Sequence, residues 1–355
     1  MMNIRKFGVG LAVAGAMVWA SSWGAPVQAA TPYYEGKTIE IIAGTGAGSG
    51  TELVARAFIK VWSKYIPGNP TFVVKNLPGA GGAKALTFVY DKGKPDGTVL
   101  YFGVSNLISK ALNPKRMRFE LDKMSIIGLG GQEHMALVNK DVGITDATQL
   151  VKLKQIVTGG ARADDPLSLE ARLSLSMLGV NFRHVHGYRG MPKIAKAAAT
   201  GEIQFFTTAT LGYRVVSKNF VANGSLIPMY YHPYFDGKGQ QIRSEEFKEM
   251  PSFIDVYRKV HGKDPSGPLF ETYKWMLDVN GHPTGFIAPP NVDPKLVAIL
   301  RETHAKTAAD PAVKKGRLAS VFNWKPQSDL DRSLAAYKAT SPEILATLKE
   351  IATKE

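Results

Sequence analysis

Thr38-Ile39-Glu40-Ile41-Ile42-Ala43-Gly44-Thr45-Gly46-Ala47-Gly48-Ser49-Gly50-Thr51-Glu52-Leu53-Val54-Ala55-Arg56 reads as a strand, a glycine-rich loop and the start of a helix. The β-branched run Thr38–Ala43 has the composition of a buried strand. Beyond the loop, Leu53, Val54, Ala57, Phe58, Val61, Trp62 and Tyr65 recur at a period of about 3.6 residues, which predicts a helix over Gly50–Tyr65. Glu52, Arg56, Lys60 and Lys64 form its polar side. The same alternation continues downstream, with strands expected at Thr71–Lys75, Thr98–Gly103, Ser125–Leu129, Met135–Lys140, Lys154–Thr158, Asn181–His186, Ile203–Thr207 and Leu226–Tyr231. Strands separated by helical periods argue an α/β protein with mostly parallel sheets.

The chain has 355 residues, 45% of them hydrophobic, enough for a substantial core and for two domains. Near Met135–Asp146 and again near Leu226–His232 it is expected to cross between two α/β lobes. Residues 30–137 would then begin lobe I, 138–228 form lobe II, and 229–355 return to lobe I with C-terminal helices. Pro233–Pro283 reads as a surface excursion with one helix near Glu245–His261. Helices are expected at Asp293–Ala308, after Pro311, and from Ser328 and Ser341.

Arg5 and Lys6 precede an apolar run from Val9 to Ala20, and Val27-Gln28-Ala29 resembles a small-residue cleavage site. Residues 1–29 are therefore expected to be a signal peptide cleaved near Ala29, leaving a mature chain with no transmembrane segment. There is no cysteine, hence neither a disulfide framework nor a lipid-anchor cysteine. The formal net charge of +14 favours anionic ligands. Its lysines and arginines are scattered without interleaved aromatics, which argues against nucleic acid.

The loop Gly46, Ala47, Gly48, Ser49, Gly50 and Thr51 places backbone N–H groups at a helix start, where anions bind. It satisfies neither a dinucleotide fingerprint nor a phosphate loop. Ser49-x-x-Glu52 reads first as a capping box, with direct ligand contact by Glu52 as the alternative. A second strand-to-helix loop spans Asn76-Leu77-Pro78-Gly79-Ala80-Gly81-Gly82, and Ser105-Asn106 stands at the end of the next strand.

Taken in order, Gly50-Thr51-Glu52 with Ala55-Arg56, Asn76 to Gly82, Pro95-Asp96-Gly97, Asn113-Pro114, Gly187-Tyr188-Arg189-Gly190, Gly201-Glu202-Ile203, Ile287-Ala288-Pro289-Pro290 and Asp310-Pro311-Ala312-Val313 form a consistent set. It resembles the tripartite tricarboxylate transporter substrate-binding receptors, the Bug-type periplasmic solute-binding proteins, over essentially the whole mature chain. The resemblance implies a two-lobed periplasmic binding protein of the type II, Venus-flytrap kind, with a mixed sheet in each lobe and a hinge between them. The sheet in each lobe is expected to be mixed but mostly parallel. The resemblance also implies a small carboxylate, whether di- or tricarboxylate or aromatic, captured between the lobes, with one carboxylate at the first glycine-rich loop, and delivery to transporter membrane subunits. The chain departs from the family at Glu52, Ala47, Thr207-Thr208-Ala209 and the long Pro233–Pro283 segment.

In the second lobe Gly160 and Arg162 occupy a strand-to-helix loop that faces the ligand in the resembled family. Arg162 would clamp a distal carboxylate or stand as a solvated loop arginine near Asp164 and Asp165. Tyr188, Arg189 and Gly190 form another candidate loop, in which the tyrosine would stack on a ligand or cover the hinge. Thr208 completes the expected contacts. His184-x-His186 puts two imidazoles on one strand face without the further ligands zinc requires, so no metal and no cofactor are expected. No nucleophile is paired with a base, so an enzyme is not expected. The reading is a monomeric periplasmic receptor, with a carboxylate sensor docking to a membrane signalling protein, or a secreted enzyme acting on a small organic acid, as the alternatives.

Overall fold

The computed structural model describes residues 31–235, 239–280, 284–315, 323–324 and 327–354. The expected signal peptide, residues 1–29, lies outside the described residues. Strands in chain order are β1 (Thr38–Ala43), β2 (Thr71–Asn76), β3 (Val99–Val104), β4 (Met124–Gly131), β5 (His134–Asn139), β6 (Ile156–Gly160), β7 (Phe182–His186), β8 (Phe205–Ala209) and β9 (Leu226–His232). These nine correspond to the runs read from β-branched composition. They are followed by β10 (Tyr234–Phe235), β11 (Gln241–Ile242), β12 (Thr284–Pro290) and β13 (Asn323–Trp324).

Two sheets carry the molecule, one in the order β13-β4-β12-β3-β1-β2 and the other β7-β6-β8-β5-β9. Both are mixed. In the first, β1 pairs in parallel with β2 and β3, while β12 pairs antiparallel with β3 and β4 and β13 pairs antiparallel with β4. In the second, β6 is parallel to β7 and β8, and β5 is antiparallel to β8 and β9. Antiparallel pairing is more extensive than the parallel sheets the sequence predicts. The cause is the crossing itself: β4 leaves the first sheet and enters β5 of the second through Gln132 and Glu133, and β12 later returns between β3 and β4.

The glycine-rich loop after β1 ends in helix α1 (Gly50–Trp62), capped by Ser49, which accepts from the Glu52 N–H. Its buried stripe is Val54, Ala55, Phe58, Ile59 and Trp62, whereas Leu53 is 39% exposed. The helix is thus turned by about one residue from the expected face. Trp62 Nε1 donates to Thr303 Oγ1 at 3.0 Å in the neighbouring Pro294–Ala309 helix, which fixes that orientation. Helices α2 (Ala83–Lys92) and α3 (Leu107–Leu112) follow β2 and β3, and α4 (Pro166–Met177) follows β6.

One face of the first sheet packs Phe58, Trp62, Phe102 and Phe286 together, with the Phe102 and Phe286 rings 4.5 Å apart. Its other face belongs to a core that continues into the second lobe, through Tyr273, Met276 and Leu277 of the Pro268–Asn280 helix and Leu348 and Ile351 of the Pro342–Thr353 helix. The lobes are therefore joined by buried apolar side chains. No helix among the described residues is long and apolar enough to cross a membrane.

Candidate functional site

A cleft of about 350 Å³ lies between the lobes. Its first wall is built from the carboxyl ends of parallel strands: Gly44 and Thr45 after β1, the β2–α2 loop, and Ser105 with Asn106 after β3. Ligand sites of open α/β sheets occupy this position because the strand ends and helix starts leave backbone groups free there. The opposite wall is the start of α4 with Arg162 and Asp165, and the floor comprises Gln132, His134 and Asn280.

The β2–α2 loop is shaped by glycines at two decisive positions. Gly82 has φ +98°, and a Cβ there would lie 2.8 Å from Tyr101 Oη. Gly81 has φ +65°, and a Cβ there would lie 2.7 Å from Arg162 Nη1, so the guanidinium rests on this backbone across the cleft. Asn76 Nδ2 donates to Thr45 O at 2.9 Å, tying the first two loops together. Asn106 has φ +60° and donates from Nδ2 to Val104 O at 2.8 Å, an αL turn that asparagine tolerates well.

Arg162 Nε donates to Asp164 Oδ1 at 2.9 Å, and Asn113 of the first lobe donates to Asp164 Oδ2 at 3.2 Å. The arginine is thus both paired within its loop and a lining residue of the cleft. Asp165 caps α4, accepting from the Ser168 N–H at 3.3 Å and from its hydroxyl at 3.1 Å; burial raises its carboxyl above the ordinary range despite Arg162 nearby. On the floor, His134 Nδ1 lies 2.8 and 2.9 Å from the two oxygens of Glu170, which is fully buried. Asn280 Nδ2 donates to the same carboxylate at 3.2 Å. Burial pushes the Glu170 carboxyl up, but the charge and hydrogen bond of His134, with His232 and Asn280, bring it below the ordinary range.

Among the expected contacts, Thr51, Ser105, Asn106 and Arg162 line this cleft. Gly46, Ala47, Gly48, Ser49 and Gly50 are not among its lining residues. The Gly48 N–H donates to Glu52 Oε2 at 3.2 Å, so that amide is taken by the protein itself. Glu52 forms only half of the expected capping box: its carboxylate reaches past Ser49 to Gly48 and also meets Arg56. Gly50 faces Leu211 of the other lobe. Gly160 is buried beneath Ser168, and Thr208 is buried in β8 beside the lining residue Ala209. Tyr188 donates to Glu202 at 2.7 Å outside the cleft, and Arg189 and Gly190 are exposed there. His184 accepts or donates at Thr158 Oγ1, 2.7 Å away, while His186 points to solvent. Burial lowers the His184 pKa to about 3. Among the described residues no group of three or more histidine, cysteine, aspartate or glutamate side chains is placed to hold a metal ion.

No protein-family model matches the chain, and no curated protein sequence matches it. Solved structures do. A TctC solute-binding protein from Polaromonas superposes with a TM-score of 0.62 at 20% identity, covering 91% of this chain and 100% of its own. The periplasmic binding protein BugD gives 0.65 at 17% identity, over 90% and 99%. An R. palustris protein with adipate gives 0.64 at 16% identity, over 90% and 97%. The chain has the fold of the periplasmic solute-binding proteins. In this fold Gly81 and Arg162, both singled out in the sequence, come to one interlobe cleft with His134 and Asn280, which were not. His134 and Asn280 carry no local motif: His134 precedes the expected strand Met135–Lys140, and Asn280 falls within the Pro233–Pro283 segment.

Proposed function

We propose that this chain is a periplasmic receptor of the tripartite tricarboxylate type, which captures a small carboxylate in the interlobe cleft and delivers it to transporter membrane subunits. The observation that carries this reading is the cleft between two α/β lobes, with backbone of the β2–α2 loop on one side and Arg162 on the other. Its volume of about 350 Å³ suits a small organic acid. An arginine fork opposite backbone amides recognises a carboxylate by charge-assisted hydrogen bonds. The R. palustris neighbour described with adipate supports an acid of this class. The receptor works as a monomer, by capture and release without chemical change to its ligand. A thermal-shift panel of mono-, di-, tricarboxylic and aromatic acids tests it. An acid present at about 100 times its dissociation constant stabilises the native state by about 2.7 kcal/mol. Absence of any shift across the panel would remove the carboxylate assignment.

A further inference from the structure

The floor of the cleft holds a histidine that the capture of an acid by Arg162 leaves unused. Glu170 of α4 is fully buried, and its ionised carboxylate can only accept hydrogen bonds. Two histidines approach it: His134 and His232, which are opposite one another in the β5–β9 ladder. His232 is committed at both ring nitrogens, with Tyr273 Oη 2.8 Å from Nδ1 and Thr207 Oγ1 3.2 Å from Nε2, and burial keeps it neutral. His134 is committed only at Nδ1, which must carry a proton to face Glu170. It is 6% exposed and lines the cleft, so Nε2 is its remaining polar atom for a ligand.

Resting on the carboxylate-receptor reading above, we propose that His134, held by Glu170, is a second anionic subsite: its imidazolium Nε2–H donates to one carboxylate of a dicarboxylate whose other end is held at Arg162. A buried carboxylate behind an imidazole fixes its tautomer and ring orientation, as second-layer carboxylates do elsewhere. The remaining groups that face this histidine agree. Asn280 donates to Glu170 and leaves its charge intact, Asp165 is engaged in capping α4, and the neighbouring Glu133 accepts from Ser244. The preferred ligand is therefore a linear dicarboxylate rather than a monocarboxylate, and its capture depends on the charge of one histidine.

The test is calorimetric titration of succinate, glutarate, adipate and hexanoate between about pH 5.5 and 9, where imidazole changes charge. The wild-type chain is compared with His134→Gln and with the double variant His134→Gln/Glu170→Gln. The double variant keeps a hydrogen-bonded pair of similar size without a buried charge, and so remains folded if the single variant does not. We expect the best dicarboxylate to bind wild type more weakly as pH rises, and the double variant to bind it at least tenfold more weakly at pH 6 with a flat profile. Hexanoate should bind both proteins alike. A loss under tenfold, or a loss that keeps the wild-type pH profile, overturns the subsite. If wild type binds none of these acids while the double variant is equally inert, the receptor reading itself fails, which is a different result.

Discussion

The guanidinium of Arg162, carried by the second lobe, lies against the backbone of Gly81 in the first, so close that a Cβ on residue 81 would fall 2.7 Å from Nη1. The contact joins the two walls of the cleft through a residue with φ +65°, a conformation that glycine adopts at no steric cost. Gly81→Ala should therefore act twice, straining the loop by about 1 kcal/mol and displacing the arginine. Chemical denaturation without ligand reads the first effect and titration with the ligand acid reads the second. An affinity equal to wild type would show that the contact is incidental.

Arg162→Ala should weaken carboxylate binding by about 1.5–3 kcal/mol, the value of a hydrogen bond to a charged group, or roughly tenfold to a hundredfold. Arg189→Ala, on an exposed loop outside the cleft, should leave affinity within twofold. Calorimetry on the two variants separates a site-specific arginine from a general effect of positive charge.

Phe286 sits in β12 and meets Phe58 at 5.3 Å, Trp62 at 4.9 Å and Phe102 at 4.5 Å between ring centroids. Phe286→Ala removes the centre of that cluster and should cost about 3–5 kcal/mol. Urea denaturation measures it. A cost below about 1 kcal/mol would mean that the return strand is not anchored by this ring.

Three buried histidines give the fold an acid limit. Burial lowers the pKa of His184 and His304 to about 3 and that of His232 to about 4. In the unfolded chain these groups bind protons near the ordinary histidine range, so falling pH stabilises the unfolded state from about pH 6.5 downward. Each contributes a slope of up to about 1.4 kcal/mol per pH unit until the folded-state value is reached. Glu170 acts with the same sign, because its depressed carboxyl pKa stabilises the fold until pH falls through it. Melting temperature should be flat above neutrality and decline steadily from pH 6.5 to 4. His304 lies 4.8 Å from the Phe58 ring with Nε2 buried and unpaired, so His304→Phe should make that decline shallower. An unchanged slope in this variant would contradict the assignment.

The parts of the fold that were legible are those whose burial leaves a local trace. Thr38–Ala43 and Ser105-Asn106 could be read because a β-branched run ends at a polar turn, and that turn does line the cleft. β12 escaped because Gly285, Pro289 and Pro290 read as loop and because both its faces are buried, which removes the alternation that marks a half-exposed strand. The first glycine-rich loop was legible as a loop, but nothing in its spacing shows that Glu52 turns back one residue further than a capping box and occupies the Gly48 amide. His134, Glu170 and Asn280 belong to three elements far apart in sequence and meet only after both crossings are made. Their association is a property of the topology.

The central claim is that a carboxylate is held between the lobes, and the most direct measurement is a crystal structure with the acid that gives the largest thermal shift. One carboxylate of that acid is expected within hydrogen-bond distance of Arg162 or the Gly79–Gly82 backbone, inside the cleft floored by His134. An acid bound on the outer surface, with the interlobe cleft holding only water at saturating concentration, would contradict it.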